Sequence, residues 1–278
     1  MTTTATNTGE ITQENYSFLQ QHVYRTSGIV LDDNKHYLLE ARLIPIVRKE
    51  NLKTINDLCA LIRATTAGRV SQDVVEAMTT NETLFFRDIV PFKVLRSSLL
   101  PPLIEARKHT KKLSFWSAAS SSGQEAYSLA MMLSEMGLQD WSIDILGTDL
   151  NEKMVERARH GAFMQIEVNR GLPATHLVKY FERHDLEWRI KPVLRRMVRF
   201  EKFDLRQSMR LMNSCDFVLC RNVLIYFDMD TKRQILAEIA RTMAPGGYLL
   251  LGAAETTMNL SEAFERHAIE GASFYRKK

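Results

Sequence analysis

Apolar positions recur at helical spacing through the first part of the chain: Tyr16, Leu19, Val23 and Tyr24, then Leu38, Leu39 and Leu43, then Leu58, Leu61 and Ile62. Residues three and four apart share one helical face, so the pattern predicts a small all-α domain over residues 11–75. Val74, Val75 and Met78 continue the spacing beyond Gly68 and the Thr65-Thr66 pair, which predicts a connecting helix leading into a linker segment, 76–98. From residue 113 the pattern changes. Short apolar runs at 113–118, 142–147, 198–203, 217–219 and 248–251 are separated by helical stretches at 123–136, 152–159 and 231–243. Such alternation predicts βαβ units and a parallel sheet with helices on both faces, in a second domain spanning 99–278. Residues 263–269 and 273–276 around Gly271 read as a closing antiparallel hairpin. Residues 163–197 separate the second helix from the third strand by far more than a usual loop, and are read as an inserted subdomain with a helix near 175–181 and some strand.

Composition narrows this picture without changing it. A length of 278 residues is near the limit for one core and favours two domains; 45% hydrophobic and 25% charged residues exclude a disordered or fibrous chain. The Thr-rich residues 1–10 read as a disordered tail with neither a basic nor an apolar segment, and no apolar run reaches the ~20 residues of a membrane span. A cytoplasmic protein, not inserted in a membrane and monomeric, is expected. Three cysteines, with Cys215 and Cys220 on opposite faces of a strand, imply no disulfide framework, and the seven scattered histidines imply no metal. The net charge of +4 marks no nucleic-acid specialist, although Arg189, Lys191, Arg195, Arg196, Arg199, Lys202, Arg206 and Arg210 face only Glu201 and Asp204 locally.

In an open parallel sheet a ligand sits beyond the carboxyl ends of the strands. The first strand is followed by Ala118-Ala119-Ser120-Ser121-Ser122-Gly123-Gln124-Glu125, small residues over which a ligand can approach the backbone. The Gly-x-Gly-x-x-Gly and Lys-Ser/Thr strings of phosphate sites are absent, so a ligand without phosphates fits better. Ser122 and Glu125 also match a capping box, and cap and ligand contact both stand as readings of Glu125. The second strand ends in Gly147-Thr148-Asp149, where a carboxylate can accept from both hydroxyls of a ribose; its alternative is an N-cap for the helix starting near Glu152. Met243-Ala244-Pro245-Gly246-Gly247-Tyr248 reads as a helix end, a turn and an emerging strand.

Four strings, Asn81-Glu82-Thr83-Leu84-Phe85-Phe86-Arg87-Asp88, Trp116-Ser117-Ala118-Ala119-Ser120, Gly147-Thr148-Asp149 and Cys220-Arg221-Asn222-Val223-Leu224-Ile225-Tyr226-Phe227, together resemble the bacterial chemotaxis receptor glutamate methyltransferases. The resemblance runs in order from about residue 15 to the C-terminus. It implies a Rossmann-like class I α/β domain with a small inserted subdomain, preceded by an all-α domain, and S-adenosyl-L-methionine as cofactor, leaving S-adenosyl-L-homocysteine. Carried over residue by residue, it implies that Asn81, Thr83 and Arg87 line the cofactor with Ala118, that Glu125 meets its amino-acid end and Asp149 its ribose. Asp204 and Leu205 then border the adenine, Arg221 and Asn222 complete the pocket, and Tyr226 lies near the transferred methyl, with Arg87 orienting. Without the family, Asn81 and Thr83 are turn or cap residues, Arg87 a partner of Asp88, and residues 225–227 core.

The implied acceptor is a glutamate on the cytoplasmic methylation helices of a chemoreceptor. Such a carboxylate is ionised near neutral pH and needs no general base, so a dry site around 223–227 and good alignment are what the chemistry asks for. Glu-rich helices would suit a basic docking face formed by Lys35, Arg42, Arg48 and Lys49 and by the basic stretch of the insert; a solvated charged face is the alternative. Pro45 interrupts the first of these where better-known relatives carry a denser arginine run. Some relatives also bind a tether peptide, the receptor's C-terminal tail, on the insert, and between Phe181 and Phe200 this chain is shorter than they are. The rival readings are an RNA or small-molecule methyltransferase and a cofactor-sensing adaptor without catalysis. An Asn/Asp-Pro-Pro-Tyr string would have supported an RNA substrate, and Arg-Asn-Val-Leu stands in its place.

Overall fold

The computed structural model describes residues 11–33, 36–65, 68–138, 140–208 and 214–278. The chain divides into two compact units, Met1–Thr80 with Tyr226–Asp228, and Asn81–Ile225 with Met229–Lys278. The expected tail, 1–10, lies outside the described residues.

The first unit is helical: α1 (Gln13–Ser27), α2 (His36–Lys49), α3 (Ile55–Thr65) and α4 (Arg69–Met78). Its core holds the stripe seen in the sequence, with Tyr16, Leu19, Val23, Leu39, Leu43, Leu58, Ile62 and Val74 all buried. Thr12 caps α1 by accepting from the Asn15 N–H, and Gly28 ends it in the left-handed region at φ 76°, its N–H returning to the Tyr24 carbonyl. Tyr24 is 43% exposed rather than core, and its hydroxyl donates to Asp228 Oδ2 at 2.5 Å. Helix α2 continues through Pro45, which lies on its exposed side.

The second unit is built on a seven-stranded sheet. Its strands are β1 (Lys112–Ala118), β2 (Ser142–Asp149), β6 (Val198–Lys202), β7 (Cys215–Cys220), β8 (Met243–Leu251), β9 (Phe264–Ile269) and β10 (Ala272–Lys277). They lie in the order β6-β2-β1-β7-β8-β10-β9, the first five parallel and β10 antiparallel to both neighbours. This is a Rossmann-like order whose direction of winding reverses between β1 and β7. Central strand β7 is buried along its whole length, as a parallel strand covered on both faces must be. Phe115, Phe217 and Tyr248 stack across β1, β7 and β8 with centroids 5.4 and 5.9 Å apart. Flanking it are α5 (Val90–Val94), running through a π-helical turn at Leu95–Leu99 into α6 (Leu100–Arg107), then α7 (Gln124–Ser134), α8 (Glu152–His160) and α12 (Met229–Thr242). Among the described residues no helix is long and apolar enough to cross a membrane.

Between β2's helix and β6 a small antiparallel sheet is formed by β3 (Ala162–Met164), β4 (Phe181–His184) and β5 (Glu187–Ile190), in the order β3-β5-β4, with α9 (Gln165–Val168), α10 (Ala174–Tyr180) and α11 (Pro192–Arg195). Tyr180 and Lys179 fasten it to α7, donating to Glu135 Oε1 at 2.5 and 2.9 Å. Phe163 and Phe181 meet Phe85 edge to face at 5.0 and 5.7 Å. The helix–turn–strand reading of residues 243–248 is corrected: β8 begins at Met243 and takes Pro245 and the two glycines into the strand. Its pairing shifts register between Cys215 and Phe217, with Gly246 at φ 74°, so the expected turn is an irregularity inside the strand.

Candidate active site

Strand register brings the site together. Ala118, the last residue of β1, lies opposite Thr148 on β2 and Cys220 on β7, and Cys220 lies opposite Leu251 on β8. The segments that follow therefore leave the sheet side by side: 119–123, 149–151, 221–224 and 252–255.

The first is a tight loop in which Ala119, Ser121 and Gly123 all have positive φ, 58°, 50° and 95°. Glycine is required at 123, where a Cβ would come within 2.9 Å of the Phe200 ring and 3.0 Å of Ala158. Gly123 is also the N-cap of α7 and the capping box is not formed: the Ser122 hydroxyl donates to Gln124 Oε1 instead. This frees Glu125, whose Oε1 accepts from the Ser117 hydroxyl at 2.7 Å and whose Oε2 meets Arg221 at 3.0 Å. Asp149 is buried, 8% exposed, and its carboxylate draws two loops together, Oδ2 accepting from the Ser121 N–H at 2.8 Å and Oδ1 from the Asn151 N–H at 2.9 Å. It is not the N-cap of α8; Asn151 is, accepting from the Lys153 N–H.

Residues 81–88 form an irregular strap. The Asn81 carbonyl accepts from the Ser121 hydroxyl at 2.8 Å, the Phe86 N–H donates to Ser128 Oγ at 2.9 Å, and the Phe85 ring is buried. Phe86 and Asp88 have positive φ, 49° and 59°. The expected Arg87–Asp88 partnership does not form. Asp88 pairs with Arg221 at 2.7 Å, while Arg87 donates from Nη1 to the Glu82 carbonyl at 3.2 Å and its own carbonyl accepts from Arg221 Nη2 at 3.0 Å. Thr83 is half-buried in the strap.

Arg221 is the centre of the arrangement. With 2% of its side chain exposed, it holds Glu125, Asp88 and the Arg87 carbonyl at once, joining the strap, the first turn of α7 and the end of β7. Next to it Asn222 stands at φ 57°. Five buried side-chain N or O atoms lack a partner among the described residues, and three of them, Ser120 Oγ, Arg221 Nε and Asn222 Oδ1, are in this rim. Since buried polar atoms are rarely left unsatisfied, such a cluster favours a ligand that supplies both donors and acceptors. Burial, with the Glu255 and Glu125 carboxylates nearby, pushes the Cys220 thiol well above its usual range, so it remains a neutral thiol and no nucleophile.

The other expected residues have their own surroundings. The Phe203 N–H donates to the Asp149 carbonyl at 2.9 Å, bringing the end of β6 to the rim, but the Asp204 carboxylate is engaged by Arg206 at 2.6 Å and Leu205 is buried. Tyr226 groups with the helical unit: its carbonyl accepts from the Val30 N–H at 2.9 Å and its ring packs on the helical core, as does Phe227. Ile225 is 49% exposed, so the expected dry wall at 223–227 is not formed by it. In the helical unit Arg42 closes the end of α4, donating to the Met78 carbonyl at 2.8 Å, the Thr79 carbonyl and Thr80 Oγ1, and Lys49 pairs with Asp73. Arg48 is exposed, and Lys35 lies outside the described residues. The basic stretch is dispersed into local pairs: Arg189 with Glu187, Arg199 with Asp144, Lys202 with Glu152, Arg206 with Asp204, and Arg195 with the Arg159 carbonyl. Arg210 lies outside the described residues.

Glu255 was missed. It follows β8 at the fifth parallel strand's carboxyl end, and its place after an apolar run was the available signal.

A family model described as "CheR methyltransferase, all-alpha domain" matches residues 14–79, and one described as "CheR methyltransferase, SAM binding domain" matches residues 81–271. The chain is 40% identical over 260 residues to chemotaxis protein methyltransferase 1 of Pseudomonas aeruginosa, covering 91% of this chain and 94% of that one. It is 37% identical over 272 residues to chemotaxis protein methyltransferase Cher2 of Pseudomonas putida, covering 95% and 98%, and 39% identical over 277 residues to a chemotaxis protein methyltransferase of Vibrio parahaemolyticus, covering 96% and 98%.

Proposed function

The chain belongs to the CheR methyltransferase family, and on that premise we propose that it esterifies glutamate side chains on the cytoplasmic methylation helices of chemoreceptors. The coarser activity follows from the family itself: it is an S-adenosylmethionine-dependent methyltransferase of chemotaxis. What supports the site assignment is that one buried guanidinium, Arg221, joins its own string to the 81–88 string through Asp88 and the Arg87 carbonyl, and through Glu125 to Ser117 of the string at the end of β1. A zwitterionic ligand carrying a ribose suits this donor set, with the Asp149 carboxylate for hydroxyls, small residues at 118–122 for close approach, and unpartnered Ser120 Oγ and Asn222 Oδ1 for its polar groups.

When bound, S-adenosylmethionine supplies an electrophilic sulfonium methyl group to an acceptor oxygen. The protein's own residues bind and orient. A glutamate carboxylate, with an ordinary pKa of about 4.3, is already ionised near neutral pH, so no side chain has to act as general base. An anion and a cation become neutral products, so a site that excludes water and aligns the two partners favours the reaction. As the resemblance implies, Arg87, whose guanidinium donates to the Glu82 carbonyl, is proposed as an orienting group and Tyr226 as a residue near the transferred methyl.

For docking, among the described residues of the proposed face Arg48 on α2 is exposed, while Arg42 and Lys49 are engaged within their own unit. On the insert, among the described residues β4 pairs only with β5, and its other edge is the kind of element a tether peptide would extend. Its four residues include Glu182, Arg183 and His184, charges that discourage edge pairing. A pull-down with receptor tail peptides separates tethered from untethered action. The acceptor is tested by incubating the protein with methyl-labelled cofactor and receptor-containing membranes and then raising the pH. Volatile labelled methanol identifies a carboxyl ester; label that survives alkali, or that is recovered in RNA, would discard the glutamate assignment.

A further inference from the structure

Glu255 lies in the loop after β8, 9% exposed, and none of the described residues forms an ion pair with it. Its carboxylate instead accepts four backbone N–H groups. Oε1 takes those of Val223 at 2.9 Å and Leu224 at 2.8 Å; Oε2 takes those of Asn222 at 2.8 Å and Gly252 at 2.7 Å. Successive peptide N–H groups converging on one point form a concave nest that suits an anion. Here the chain fills that nest with its own side chain. The approach is close enough to dictate the residue at 252, where a Cβ would lie 2.7 Å from Glu255 Oε2 and 2.8 Å from both the backbone nitrogen and Nδ2 of Asn222.

The turn gripped in this way begins with Arg221 and Asn222. Asn222 has a left-handed backbone at φ 57°, and its Oδ1 is buried without a partner. Arg221 carries the ion pairs to Glu125 and Asp88. A side chain can aim a polar atom at a ligand only as well as its own backbone is held, and three of the four N–H groups on Glu255 belong to residues 222–224.

We propose that Glu255 is a positioning residue for the cofactor, acting through the 221–224 turn without touching the cofactor itself. This rests on the assignment of Arg221 and Asn222 to the cofactor rim. Exchanging the carboxylate for an amide turns one acceptor into an NH₂ group facing two N–H donors, which loses two bonds and sets donor against donor. Glu255→Asp keeps the charge one methylene short, so it restores part of the grip.

The test is calorimetric titration of S-adenosylhomocysteine into the wild type, Glu255→Gln and Glu255→Asp, each well below its unfolding midpoint. Glu255→Gln is expected to weaken affinity about tenfold or more, with Glu255→Asp in between. In steady state, KM for the methyl donor rises while KM for the acceptor stays. A Glu255→Gln protein that melts earlier but binds with wild-type affinity overturns the proposal, because a merely structural role predicts that result. Should the wild type itself fail to bind, the cofactor assignment beneath the proposal falls, and the proposal with it. If the variants do not fold, amide exchange in the wild type decides: the N–H groups of 222, 223, 224 and 252 are expected to exchange slowly and together, and exchange at unprotected rates rejects the clamp.

Discussion

The two units place their basic groups differently: the helical unit buries the acids Asp73 and Glu76, but its arginines and lysines stay outside. In the sheet unit the groups that organise the site are buried: the Arg221 side chain is 2% exposed, that of Glu125 12%, and Asp149 and Glu255 are 8% and 9% exposed overall. In the helical unit the basic residues of α2 stay near the surface, where Arg42 closes a helix end and Lys49 neutralises Asp73. Burying an ionised group is costly unless it is paired and hydrogen-bonded, so a constellation of satisfied charges at the carboxyl ends of strands marks a site that something had to justify. A run of surface charge carries no such information, because each member can be absorbed by a cap or a neighbour.

The largest effect expected from this contrast is at Arg221. Arg221→Ala strands the Glu125 carboxylate inside the rim and releases the strap at Asp88, so it should lower stability by about 3–5 kcal/mol in denaturant unfolding, the range for breaking a buried pair from one side. A loss below about 1 kcal/mol would mean that water already reaches these groups, and the contrast would fail. Next comes Asp149→Ala, expected to weaken S-adenosylhomocysteine binding by about 1.5–3 kcal/mol in calorimetry, the scale of bonds to a charged group. Unchanged affinity would return Asp149 to a purely loop-binding role. In the helical unit Arg42→Ala should cost about 1–2 kcal/mol of stability through its bonds to the end of α4, with cofactor affinity untouched. Arg48→Ala should do the reverse of a stability mutant, leaving the unfolding midpoint in place while raising KM for receptor membranes, more so at low salt. Equal effects of Arg42 and Arg48 on receptor KM would restore the original four-residue docking face.

The same contrast explains what could be read from the sequence. Strands β1, β2, β6 and β7 and helices α7, α8 and α12 were legible because a buried element repeats its apolar residues at its own period. The π-helical turn at Leu95–Leu99 and the irregular start of β8 were not, since the first follows from local hydrogen bonding ahead of Pro101 and Pro102 and the second from pairing with a distant strand. The resemblance pointed to Asn81, Arg87, Glu125, Asp149, Arg221 and Asn222, and in the structure Arg221 bonds two of the others, Glu125 and the Arg87 carbonyl. Their partners were not legible: Asp88 goes to Arg221 rather than Arg87, and Glu125 to Ser117 and Arg221 rather than a capping box, because a contact across many residues leaves no local spacing. Tyr226 was placed by its string and is carried in the structure by the helical unit, a matter of tertiary packing alone.

The smallest expected effect lies between the two extremes, at Glu135, whose side chain is 28% exposed yet hydrogen-bonded by Tyr180 and Lys179. The bond from the Tyr180 hydroxyl, and then that from Lys179, hold its carboxyl below the usual range. A carboxylate with a lowered folded pKa contributes stability that is complete above its unfolded value, near 4.5, and is lost as pH falls through the folded value. Glu135→Gln keeps the shape and removes the charge, so it should cost about 0.5–1 kcal/mol in denaturant unfolding at pH 7, discounted for solvent exposure. That difference should shrink as pH falls below the unfolded value, because the wild type is then being protonated into the same neutral state. A cost that stays constant down to acid pH would assign the fastening of the insert to shape alone, and partial exposure would then be enough to cancel a charge that the sheet's buried rim uses in full.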